Sequence, residues 1–196
     1  VTAAAFGVNL VVLARHRPLL RQNEKGERHM TSISGEGGIQ GPFMLVHEVT
    51  GTYLQTDNYN DDLEQAVQTW NLDPVMTIKG LLGHLWYIEP AGDGTYVIKS
   101  FENNRCLAAG VNEKDNPRLK NPDSANERQK WFIRRVHGSD AVPNDADSYA
   151  IIPKVYPGYA LSTQSNVLSN NVYVVPTSMW EGPPSISQYW KLVPHR

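Results

Sequence analysis

Gln129-Lys130-Trp131-Phe132-Ile133 ends in the same way as two other stretches, His84-Leu85-Trp86-Tyr87-Ile88 and Gln188-Tyr189-Trp190-Lys191-Leu192-Val193. Each is a polar residue, a spacer and a tryptophan, followed by a short apolar run. The tryptophans lie 45 and 59 residues apart. A unit of that length holds only a few short strands and cannot bury its own apolar face, so the copies must pack on one another.

The units also begin alike. An aromatic opens a strand at Phe43, Tyr96 and Tyr149, and a second short strand follows around Tyr53-Leu54, Cys106-Leu107 and Tyr159-Ala160-Leu161. From opening aromatic to the leucine the spacing is 11, 11 and 12. A third strand is expected at Val75-Met76-Thr77-Ile78, Arg118-Leu119 and Val172-Tyr173-Val174-Val175, and the tryptophan strand is the fourth. Short strands separated by turn signals describe a closed or nearly closed all-β domain.

The three Gln-x-Trp endings, together with Gly94-Thr95-Tyr96-Val97-Ile98 and Cys106-Leu107, resemble the ricin B-type β-trefoil over about residues 41–194. The resemblance implies three pseudo-repeats of four strands. It divides the chain into a trefoil domain at 36–196 and an N-terminal extension at 1–35 that lies outside the fold. It says less about function, because β-trefoils serve as lectins, peptidase inhibitors, growth factors and actin binders.

Composition narrows the choice. The 196 residues are 40% hydrophobic and 19% charged, as in ordinary globular proteins. The net charge is −2, and the Lys and Arg residues at 114–135 alternate with Glu and Asp. That argues against nucleic acid, which needs clustered cations. The single cysteine, Cys106, excludes an intramolecular disulfide and reads as a small buried hydrophobe. With no Asn-x-Ser/Thr sequon either, the expected location is cytoplasmic.

Val1 to Ala14 is nearly all apolar, and Arg15, Arg17, Arg21, Lys25 and Arg28 follow it. A signal peptide places its charge before the apolar run. Fourteen residues are too few to span a bilayer, so no membrane insertion is expected. Met30 offers a natural start, with a helix docked on the domain or on a membrane surface as the other reading of residues 1–29.

No catalytic set is visible. The histidines at 16, 29, 47, 84, 137 and 195 lack metal-ligand spacing, and no nucleophile elbow, phosphate loop or dinucleotide fingerprint occurs. The expectation is a non-enzymatic protein without metal or cofactor. His84 stands where the other repeats carry Gln and reads as a hydrogen-bonding substitute. Trp86, Trp131 and Trp190 are expected in the core. Trp70 and Trp180 lie in polar segments, and are read as exposed loop residues able to meet a sugar face or a partner, the competing reading being that each plugs a gap at the end of the barrel.

The ricin-type resemblance implies sugar sites with an Asp directly after the leucine of the second strand, accepting from vicinal hydroxyls beside a stacking aromatic. Here those positions hold Gln55, Ala108 and Ser162. Ala108 has no acceptor, Ser162 is short, and neutral acceptors bond more weakly than a carboxylate. The first repeat is therefore the expected carbohydrate site, with Gln55 and Asp57 as acceptors and Tyr53, Tyr59 or Trp70 stacking. The chain also resembles fungal β-trefoil peptidase inhibitors, through Val172 to Pro176 and the Gly182-Pro183-Pro184-Ser185 loop. That resemblance implies a loop inserted into a protease cleft, for which Asn103, Asn104 and Arg105 are the candidates. The first expectation is a lectin module whose partner is a glycan or glycoprotein. The alternative is an inhibitor whose partner is a protease.

Overall fold

The computed structural model describes residues 41–56, 67–71, 78–136, 147–164, 174–182 and 186–195. The proposed extension, Asp57, Tyr59 and the run Val75 to Thr77 lie outside these residues.

Among the described residues there are twelve strands. In the first repeat they are β1 (Phe43–His47), β2 (Tyr53–Thr56), β3 (Val67–Trp70) and β4 (Trp86–Gly92). In the second they are β5 (Thr95–Ser100), β6 (Cys106–Ala108), β7 (Arg118–Lys120) and β8 (Trp131–Val136). The third holds β9 (Ser148–Pro153), β10 (Tyr159–Thr163), β11 (Val174–Glu181) and β12 (Tyr189–Pro194). The first and last strands of the repeats pair around a closed ring, β1 with β4, β4 with β5, β5 with β8, β8 with β9, β9 with β12 and β12 with β1. The middle strands form three antiparallel hairpins, β2–β3, β6–β7 and β10–β11. A six-stranded barrel with three hairpins is a β-trefoil.

The repeated residues explain the closure. Phe43 pairs with Trp86, Tyr96 with Trp131 and Tyr149 with Trp190, so each opening aromatic meets the tryptophan that ends its own repeat. The three tryptophans are fully buried, as are Leu45, Ile98 and Ile151, two residues beyond the opening aromatics. Each indole Nε1 donates to the carbonyl of the second-strand leucine at 2.9 Å, Trp86 to Leu54, Trp131 to Leu107 and Trp190 to Leu161. One residue type thus fills the core and satisfies a backbone acceptor that water cannot reach.

The polar residue of each ending fastens the preceding segment. Gln129 Nε2 donates to Asn121 O (2.8 Å) while its Oε1 accepts from Asp123 N (3.0 Å). Gln188 Nε2 donates to Trp180 O at 3.0 Å. His84, buried like both glutamines, bonds Gly80 O through Nδ1 at 2.8 Å.

The structure corrects the reading of the first repeat. Its third strand is Val67–Trp70, and Ile78 opens a five-residue helix, α1 (Ile78–Leu82). The more apolar run Val75 to Ile78 masks the alternation Val67-Gln68-Thr69-Trp70, in which Val67 and Thr69 are buried and Gln68 and Trp70 half-buried. Trp70 and Trp180 accordingly lie on strands β3 and β11, not on loops.

Candidate functional site

Side chains alternate between the faces of a strand, and residues directly opposite in an antiparallel pair share a face. In β2–β3, Leu54 faces Thr69 and both are buried. The other face carries Tyr53 opposite Trp70 and Gln55 opposite Gln68, two aromatics beside two amides. Tyr53, Gln68 and Trp70 are half-buried. Gln55 is 7% exposed, and its Oε1 is buried without a hydrogen-bond partner. Tyr53 meets the His84 ring edge-on at 6.2 Å. Of the sequence-derived residues, Tyr53, Gln55 and Trp70 therefore come together. Gln68 was missed, because its value depends on strand β3.

The register places the equivalent residues of the other repeats. Opposite Ala160 and Ser162 stand Trp180 and Ser178. Trp180 is 36% exposed and its indole donates to Ser178 Oγ at 2.8 Å, but the buried Ser162 hydroxyl is taken up by Ser187 O. In the second repeat the pairs are Cys106 with Lys120 and Ala108 with Arg118. Two small residues face two cations there, and neither the acceptor nor the aromatic is present.

A cleft of about 400 Å³ opens beside Ala108, walled by Gly110, Asp115, Arg118, Lys120 and Arg128. Its shape rests on a close approach. A Cβ added to Gly110 would lie 2.1 Å from Asp115 Cβ and 3.1 Å from Asp115 Cα. Asp115 is held in a turn by Asn112, whose N and Nδ2 both donate to Oδ2, at 2.9 and 3.1 Å. Gly110→Ala is therefore expected to displace this turn and destabilise the fold by about 1–3 kcal/mol, as overpacking does. Chemical denaturation measures it, and an unchanged midpoint would refute the close approach.

The β5–β6 turn carries Asn103 and Asn104, both exposed, and Arg105. It is tightly braced. Ser100 N donates to Arg105 O (2.8 Å), Asn104 N to Ser100 O (3.0 Å) and Arg105 N to Asn103 Oδ1 (3.1 Å). From outside the turn, Phe101 N reaches Leu85 O at 2.9 Å and Thr56 Oγ1 donates to Glu102 Oε2 at 2.7 Å. Asn104 has φ +65°, a left-handed conformation that asparagine tolerates better than most residues.

Cys106 is buried, and burial pushes its thiol up to about 11, so at neutral pH it is a protonated, unreactive side chain. Among the described residues no group of His, Cys, Asp or Glu is placed to hold a metal ion, and no helix is long and apolar enough to cross a membrane.

No protein-family model and no curated protein matches the chain. Solved structures do. The chain is similar to a designed three-fold symmetric protein, ThreeFoil, at 17% identity and a TM-score of 0.60, over 77% of this chain and 96% of that one. It is similar to the C-half of the earthworm R-type lectin, solved in complex with GalNAc, at 17% identity and a TM-score of 0.53, again over 77% and 96%. A mosquitocidal holotoxin shares 15% identity at a TM-score of 0.63 over 81% of this chain, which spans only 18% of that one. At such identities the likeness is one of fold, the β-trefoil implied by the Gln-x-Trp endings.

Proposed function

We propose that this protein is a non-enzymatic carbohydrate-binding β-trefoil that holds a neutral sugar on the outward face of β2–β3. The observation that carries the reading is the register pairing Tyr53 with Trp70 and Gln55 with Gln68. Sugars present an apolar C–H face and a polar hydroxyl edge, and a face of paired aromatics and paired amides answers both. Gln55 Oε1 is unpartnered but buried, so it accepts from a hydroxyl once the bound sugar takes the place of its present cover. Asp57 follows Thr56 directly in the chain and is the charged acceptor proposed for the same site. The complex of the earthworm lectin with GalNAc supports the reading by likeness of fold.

A glycan array probed with the protein and its Trp70→Ala variant tests it. The wild type is expected to bind neutral glycans, and Trp70→Ala to lose about tenfold or more, as removal of a central aromatic anchor does. Asp57→Ala is expected to weaken the same glycans, while Asn103 and Asn104 substitutions leave them bound. A second reading draws on the braced Ser100–Arg105 turn, since an inhibitor loop must resist deformation in a protease cleft. Absence of glycan binding, with protease inhibition relieved by substitutions at Asn103, Asn104 or Arg105, would replace the lectin by the inhibitor.

A further inference from the structure

His84 differs from its counterpart Gln129 in the use of its second polar atom. Gln129 turns both ends of its amide onto the segment before it, Nε2 donating to Asn121 O and Oε1 accepting from Asp123 N. An imidazole cannot copy that, because its two nitrogens lie on different edges of a rigid ring. Nδ1 of His84 is 2.8 Å from Gly80 O, and a carbonyl only accepts, so Nδ1 carries the proton. Burial lowers the pKa of this ring from 6.5, so at neutral pH it is uncharged and Nε2 is an acceptor. Nε2 is buried without a hydrogen-bond partner among the described residues.

Gln55 Oε1 shares that condition, and the two residues occupy one corner of the molecule. Thr56 N, next in the chain to Gln55, donates to the carbonyl of Gly83, next to His84, at 3.0 Å. Tyr53, on the same face of β2 as Gln55, meets the His84 ring edge-on at 6.2 Å. Both atoms are acceptors, so neither can satisfy the other. A buried acceptor left unbonded costs free energy that a donor recovers. The Thr56 hydroxyl is already donating to Glu102 Oε2. A sugar hydroxyl has a proton to give, and the apolar face of its ring suits Tyr53 and Trp70.

We propose that His84 is a specificity-determining residue of the β2–β3 site, its Nε2 and Gln55 Oε1 each accepting from one hydroxyl of the same bound sugar. The inference rests on the carbohydrate reading above and sharpens it to a neutral sugar recognised through the protons it donates. Both acceptors are covered in the structure, so the sugar reaches them by taking the place of that cover.

The test is calorimetric titration of the full chain with the methyl glycosides of galactose, N-acetylgalactosamine, glucose and mannose, and with monodeoxyfluoro forms of the tightest of them. Fluorine keeps nearly the size of a hydroxyl and removes its proton. In the wild type, fluorine at two positions is expected to weaken binding about tenfold each. His84→Gln, which restores the residue of the other two repeats, is expected to weaken the parent glycoside about tenfold and to erase the penalty at one of those positions alone. His84→Asn places an amide nitrogen where Nδ1 stood, keeps the bond to Gly80 O, and is expected to give the same pattern. Melting temperatures show that each variant is folded. In nitrogen NMR of the wild type, the Nε2 resonance of His84 is expected to move towards its protonated position on binding, while Nδ1 stays protonated. Binding that needs Trp70 but is indifferent to both His84 variants, or an unmoved Nε2, would overturn the inference and leave the β2–β3 site standing. So would binding of none of these glycosides alongside a positive glycan array. A blank array as well would overturn the carbohydrate reading and this inference with it.

Discussion

Trp131→Ala is expected to destabilise the fold by about 3–5 kcal/mol, read from the midpoint and slope of urea unfolding. Trp131 is completely buried, pairs with Tyr96 and donates to Leu107 O at 2.9 Å. Truncation removes a large apolar surface, leaves a cavity between strands that cannot collapse without breaking the ring, and orphans a buried carbonyl. Trp131→Phe separates these contributions. It keeps most of the volume and loses the indole donor, for an expected cost of about 1–3 kcal/mol. Trp86 and Trp190 have the same geometry, so their alanine variants should fall in the same range. A cost below about 1 kcal/mol at Trp131 would contradict the core packing described above.

The second large effect is a loss of stability on mild acidification. His47 is buried against Trp190 at 5.0 Å, with Nδ1 on Thr50 Oγ1 (2.9 Å) and Nε2 on Ser187 O (2.8 Å). Burial holds its pKa below the usual 6.5, outweighing the opposing Ser187 carbonyl and the Glu48 carboxylate. His84 is lowered from the same value, again chiefly by burial and against the Gly80 carbonyl. Below pH 6.5 the unfolded chain takes up protons that the folded chain refuses, so stability falls with pH until the folded-state values are reached. Each histidine contributes a slope of up to about 1.4 kcal/mol per pH unit inside that window. His84→Gln restores the residue found in the other two repeats and should keep the bond to Gly80 O while removing its share of the slope. Glu127, held below 4.5 by hydrogen bonds from Lys130 and Lys154, weakens the fold only at lower pH and leaves the histidine window distinct. Denaturation midpoints that stay flat from pH 7 to pH 5 would refute the prediction.

The fold was legible because its determinants are large and repeated. Tryptophans and the leucines that accept their indoles recur at nearly fixed spacing, and burial of such residues tolerates little drift. Strand β3 was not legible in the same way. Val67-Gln68-Thr69-Trp70 is a strand because Tyr53 to Thr56 lies beside it on one edge and Val174 to Pro176 on the other, and such partners are distant in the chain. The site inherits that difficulty. Tyr53, Gln55 and Trp70 could be nominated singly, but the amide pair of Gln55 and Gln68 appears only once the register is known. The cleft beside Ala108 was further hidden, because Arg118, Lys120 and Arg128 share its wall only once the β6–β7 hairpin and the turn before β8 are placed. A comparison of residues at equivalent hairpin positions across the three repeats, made with the right third strand, would have exposed the exchange of tryptophan for lysine.

The ring closes where β1 meets β12, with Phe43 opposite Pro194 and His195 N donating to Pro42 O at 3.0 Å. Entry to the barrel and exit from it therefore share one doorway. Chain segments attached at either side leave from a single point, and the domain can hang from a neighbour as a pendant or be spliced into a surface loop of a host without stretching it. The three hairpins make no use of that doorway, so a tether there leaves them clear. Joining the two ends by a short linker and opening the chain between repeats, at the Asp93-Gly94 turn, should yield a permuted molecule with the same barrel.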